Sequence, residues 1–295
     1  MSPLSDARST RRRFAIPVFL SFVFALACTP PVERPKGPAA DYADAKEMFK
    51  RGRLDRVIDV TEGLAETKPP GKYVYEARVL RAVVFSGQVK AFDEMADSYQ
   101  KGQKAVHQAE YAVTYRRQRQ DSLQMAGNSA LGLGEIAQQF IADGSFPKEL
   151  VLDVPWPEAE GPEVVEQLQR AREGGRISSE DQDAAAIDAS RKGIDNALGE
   201  IVGGDRAKAR TALVAGPVKL DGVDFAIFLD KQLLSGAKMF DQWHLQDPDK
   251  VKTLCTLADN IAQQALALLK ESPNKDQQKE IKKLQESIKK TMRTA

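Results

Sequence analysis

Over residues 179–201 apolar side chains recur at Ile187, Ile194, Leu198 and Ile201, at spacings of seven, four and three. That rhythm sets them on one face of a helix of about six turns. Helical alternation continues through most of the chain beyond residue 40, divided by cap signals. Asp247-Pro248, Ser272-Pro273 and Gly161-Pro162 each set a capping residue before a proline at a first helical position. Ser178 and Ser179 with Asp181 and Gln182 form a capping-box start, and Gly174-Gly175, Gly203-Gly204 and Gly216-Pro217 stop helices. In the last segment Ile281, Leu284, Ile288 and Met292 make a narrow stripe among lysines, which predicts a terminal capping helix; the alternative, a membrane-surface helix, lacks the bulky aromatics expected of an interfacial one. The run Leu150 to Val154 precedes Pro155-Trp156-Pro157, and those prolines make it an edge segment or loop. The predicted class is all-α, an antiparallel helix-hairpin array. A helical region over 41–145 and a second over 163–295 are joined by a proline-rich connection at 146–162. Trp156 within that connection reads as a plug over the end of the core, with an exposed recognition residue as the alternative.

The first residues follow another pattern. Arg8, Arg11, Arg12 and Arg13 precede an apolar run from Phe14 to Ala27. Fourteen helical residues rise about 21 Å, short of a hydrocarbon core of about 30 Å, so the pattern is that of an export signal rather than a span. The run ends Ala25-Leu26-Ala27-Cys28, which resembles the lipobox of bacterial lipoproteins, with Leu and Ala in the reverse of the commonest order. The resemblance implies cleavage after residue 27 and acylation of Cys28, whose two or three chains would hold the protein on a membrane. Thr29 stands where an inner-membrane retention signal would place Asp, which points to the outer membrane, periplasmic side. Residues 28–40, with prolines at 30, 31, 35 and 38, read as a semi-rigid tether.

From Asp41 the chain also resembles a tetratricopeptide repeat. Ala45 takes the small position between paired helices, Phe49 the aromatic one, Gly52 the turn, and Leu54, Val57 and Leu64 the next core sites, with Pro69 as the terminal proline. A weaker echo runs over 73–102 with its turn at Gly87, and a third over Leu133 to Gly144. The resemblance implies a superhelix of helix pairs whose first helices line a concave, protein-binding face.

Composition sharpens this picture. The 295 residues carry 43 Lys plus Arg against 42 Asp plus Glu, but residues 1–27 hold four of the Arg and one Asp, leaving −2 on the remainder. Such a balance argues against nucleic-acid binding, which needs a basic surplus. No cofactor or metal is expected: His107 and His244 look isolated, and Cys255 on an apolar helix reads as a small buried hydrophobe. Gly132-Leu133-Gly134-Glu135 lacks the Lys and Ser/Thr of a phosphate loop, so Gly127, Gly132 and Gly134 are expected to permit close helix contact or a kink. Neither string of a lytic transglycosylase is present, Glu135 being followed by Ile136, and no enzyme is expected. Tyr111, Tyr115, Arg116 and Arg119 are the candidate binding residues, a cationic and aromatic surface on one helix. The resemblances together imply a lipoprotein scaffold or adaptor for other envelope proteins. The alternative is a helical small-molecule binder accompanying a periplasmic solute transporter.

Overall fold

The computed structural model describes residues 37–294; the expected export signal, Cys28 and most of the expected tether lie outside the described residues. A hairpin of α1 (Pro38–Lys50) and α2 (Leu54–Ala65) leads into α3 (Lys72–Ala105) and α4 (Ala109–Ala142), two 34-residue helices folded against each other. After β1 (Glu149–Leu152) come α5 (Glu166–Arg172), α6 (Ser179–Ile201), α7 (Arg206–Ala215), β2 (Val218–Asp221), α8 (Gly222–Lys238), α9 (Pro248–Glu271) and α10 (Lys275–Thr294). The fold is thus an all-α helical bundle with one two-stranded antiparallel sheet among the described residues.

Local chemistry explains most boundaries. Tyr42, Ala45, Phe49, Val57 and Leu64 are buried in the α1–α2 hairpin, and Gly52 turns it with φ +71°, a conformation that suits a residue without Cβ. Ser178 and Asp181 form a reciprocal capping box on α6. Asp205, Asp221 and Asp247 cap α7, α8 and α9 through their carboxylates. Gly174, Gly203 and Gly216, all at positive φ, follow the ends of α5, α6 and α7.

Several expectations are corrected. Gly87 makes no turn: it lies inside the continuous α3, where a Cβ would meet Ile194 of α6 at 2.6 Å. The missing side chain serves a helix crossing, which a turn signal read from sequence resembles. Ser272-Pro273 does not cap α10; Asn274 does, accepting from the Asp276 and Gln277 amides. Gly161-Pro162 opens no helix, because Gly161 is pressed against the α6 backbone near Lys192 and its N–H donates to Asp195. Ile187 is 52% exposed, whereas Ile194, Leu198 and Ile201 are buried. For Leu150 to Val154 the edge reading holds over the loop: Glu149–Leu152 is one strand of a two-stranded sheet, with Glu149 paired to Asp221 and Leu152 to Val218, and Leu150, Leu152 and Leu220 are buried.

The main core unites Phe49, Leu80, Leu133, Phe140, Phe225, Leu254 and Ile281, and it also takes in Phe146, Val154 and Trp156. The 146–162 segment therefore contributes side chains to that core, and residues 37–294 belong to one compact unit. Trp156 is the plug of the two readings, 8% exposed. A second cluster at the other end of α3 joins Met95 and Tyr99 to Tyr115, Leu168 and Ala185. Gly127, Gly132 and Gly134 allow close contact along an unbroken α4; a Cβ on Gly132 would strike the Phe85 ring. No helix among the described residues is long and apolar enough to cross a membrane.

Candidate functional site

The predicted binding residues do not form one surface. Tyr115 is buried, donating its hydroxyl to the Gly175 carbonyl and tilting against Tyr99 at 6.1 Å. Burial raises its phenol pKa and pushes that of Tyr99 up to about 12. Tyr111 is 37% exposed one turn earlier, and Arg116 points into solvent. Arg119 is different. Its Nη2 donates to the carbonyl of Trp243 at 3.0 Å, tying α4 to the turn between α8 and α9.

That turn, residues 239–247, is closed by main-chain and side-chain hydrogen bonds. Met239 and Phe240 are buried at its start, and Leu245 fills the space over Gly127. Main-chain bonds from Leu245 to Met239 and from Asp247 to Phe240 close it, at 3.1 and 2.8 Å. Asp241 organises the tip: its Oδ1 accepts from the Trp243 amide at 2.8 Å and lies 2.7 Å from His244 Nδ1. This is an Asx-type turn, in which a short carboxylate replaces a backbone acceptor. The packing leaves the Trp243 side chain 72% exposed. On the adjoining face of α3, burial raises the pKa of Asp93, and His244 and Lys238 oppose that rise.

The site was only partly legible in the sequence. Arg119 was named, but its partner was not. His244 is not isolated, since Asp241 three residues earlier pairs with it across the turn. The signal for Trp243 was a large apolar residue within the polar stretch Asp241 to Asp247, just ahead of a capped helix.

A concavity of about 790 Å³ lies between the end of α6, β2, α8 and α10. Its floor includes Phe225, Ile227 and Phe228, and its rim charges pair: Lys90 with Glu200, and Lys231 with Glu280, each at 2.5 Å. Among the described residues no group of three or more His, Cys, Asp or Glu could hold a metal ion. Cys255 is buried, and desolvation pushes its thiol up to about 11. No protein-family model, curated protein or solved structure matches the chain.

Proposed function

We propose that the chain is an exported lipoprotein, held through acylated Cys28 on the periplasmic side of the outer membrane, whose helical domain is a non-enzymatic scaffold for another envelope protein. The observation that carries the docking part is Trp243: a large apolar side chain kept in water by a turn that hydrogen bonds hold in one shape. Trp and Arg are enriched in binding hot spots, Trp because it buries much area with two rotatable bonds, and a pre-shaped turn lowers the ordering cost of docking. Arg119 and Trp243 supply that pair.

Crosslinking in intact envelopes, followed by partner identification with wild type and Trp243→Ala, tests this reading. A partner captured by wild type and lost from the variant supports it. A partner captured equally by both sinks the docking site, and recovery of a small metabolite without protein sinks the adaptor. Anchorage is tested separately by Cys28→Ala and globomycin; a variant still fully retained in the membrane fraction after a wash at about 0.5 M salt, which screens surface charge, would overturn acylation.

The alternative, a helical small-molecule binder, draws on the groove beside α8, whose volume lies within the roughly 300–1,000 Å³ usual for ligand sites. Its paired rim charges favour a polar ligand.

A further inference from the structure

The outer face of α10 is a ridge of positive charge. Lys275, Lys279, Lys282, Lys283, Lys289, Lys290 and Arg293 are all exposed, and none forms an ion pair with a carboxylate of the described residues. At 100° per residue the seven fall within a sector of roughly 120°, along about 27 Å of helix axis. Among exposed acids only Glu286 interrupts the sector, while Glu280 is turned aside to Lys231. The opposite face is spent on the fold: Ile281 and Ile288 are buried, and Leu284 and Met292 pack on the main core. The segment holds seven Lys and Arg against three Asp and Glu, net +4, whereas residues 37–274 hold 30 against 37, net −7.

We infer that this ridge is a docking edge for the phosphate headgroups of an anionic lipid surface. Three features select that occupant. The ridge is the convex back of a helix, which touches a plane along its length but cannot enclose a small anion. Six of its seven cations are Lys, which stays hydrated and is depleted from protein–protein interfaces, whereas diffuse attraction to headgroups needs neither desolvation nor bidentate geometry. The acidic remainder of the domain is repelled by the same surface, so the charge separation orients the molecule with α10 toward the lipid. The inference goes beyond the proposed scaffold role and does not depend on acylation of Cys28.

Lysine footprinting with an amine-acetylating reagent tests it on the full-length chain bound to vesicles. The compared vesicles are pure phosphatidylcholine and a mixture with about 30% phosphatidylglycerol. Labelling of Lys279, Lys282, Lys289 and Lys290 should slow about tenfold on the anionic vesicles only and recover at about 0.5 M salt, where the screening length falls to a few Å. Lys68, Lys101, Lys104 and Lys252, exposed elsewhere, serve as internal controls and should not change. Equal labelling of the ridge on both vesicles, or slowing of all lysines alike, would overturn the inference. So would protection by soluble poly-glutamate or inorganic phosphate with none by the vesicles, which would assign the ridge to an acidic chain or a free anion.

Discussion

Arg78 and Asp143 form an ion pair of 2.5 Å in which the side chains are 0% and 4% exposed. Arg78 leaves the second turn of α3 and reaches the residue that ends α4, so the pair ties the base of the long helical hairpin to the core. The guanidinium also donates through Nε to the Ala65 carbonyl of α2 at 2.9 Å and lies against the rings of Tyr75 and Phe140. One cation therefore joins α2, α3 and α4.

Removing half of this pair strands a charge. Asp143→Ala should cost about 3–5 kcal/mol in urea unfolding, because the buried guanidinium loses its counter-charge. Arg78→Met in that background should restore part of the loss. A single variant within about 0.5 kcal/mol of wild type would refute the argument.

The α3–α6 crossing rests on two glycines. A Cβ on Gly193 would collide with the Gly87 carbonyl oxygen, so Gly193→Ala must push two backbones apart. A loss of about 1–3 kcal/mol is expected. Gly63 in α2 has nothing within 4 Å of its Cβ position, so Gly63→Ala should stabilise by about 0.5–1 kcal/mol. Thermal melts of the two variants should move in opposite directions.

Asp230 on α8 is 1% exposed, and neither carboxylate oxygen has a hydrogen-bond partner in the fold. Desolvation, reinforced by the charge of Asp259, pushes it up to about 8. A raised folded pKa contributes stability that is full below the unfolded value near 4 and is lost as pH rises toward 8. Asp230→Asn keeps the shape without the charge. It should melt higher than wild type at pH 8 and show little difference at pH 4; an equal shift at both would remove ionisation as the cause.

The chain holds two tryptophans, one at each extreme of burial. Iodide should quench the Trp243 emission and leave a blue-shifted remainder from Trp156. Trp243→Phe should abolish the quenchable part while changing stability by no more than about 0.5 kcal/mol. Arg119→Ala should lower the anisotropy of the quenchable part by releasing the turn; unchanged anisotropy would mean that the hydrogen bond does not hold it.

Helix identity was legible in this sequence because periodicity and capping are local: the Ser178–Asp181 box, the Asp247 cap and the glycines after α5, α6 and α7 act within a few residues of where they are read. Whether a glycine ends a helix or admits a neighbour is a different matter. Gly52 and Gly87 look alike in sequence, and only the presence of α6 against Gly87 separates them. The same holds for Leu150 to Leu152, which becomes a strand because Val218 to Leu220, some 70 residues later, is brought alongside.

The candidate site divides along the same line. Residue type alone marked Arg119 and the tyrosines, but exposure and partnership belong to the tertiary structure. Packing buried Tyr115 against α3 and α5, sealed Trp156 into the core and left Trp243 in water on a closed turn. By itself the sequence determined the all-α class, most helix ends and the charged face of α10, since each follows from the order of neighbouring residues. The continuous α3, the helix crossings, the Arg78–Asp143 pair and the choice of exposed tryptophan were decided only by the tertiary structure. Each depends on groups far apart in the chain meeting at van der Waals or hydrogen-bond distance, which no local pattern specifies.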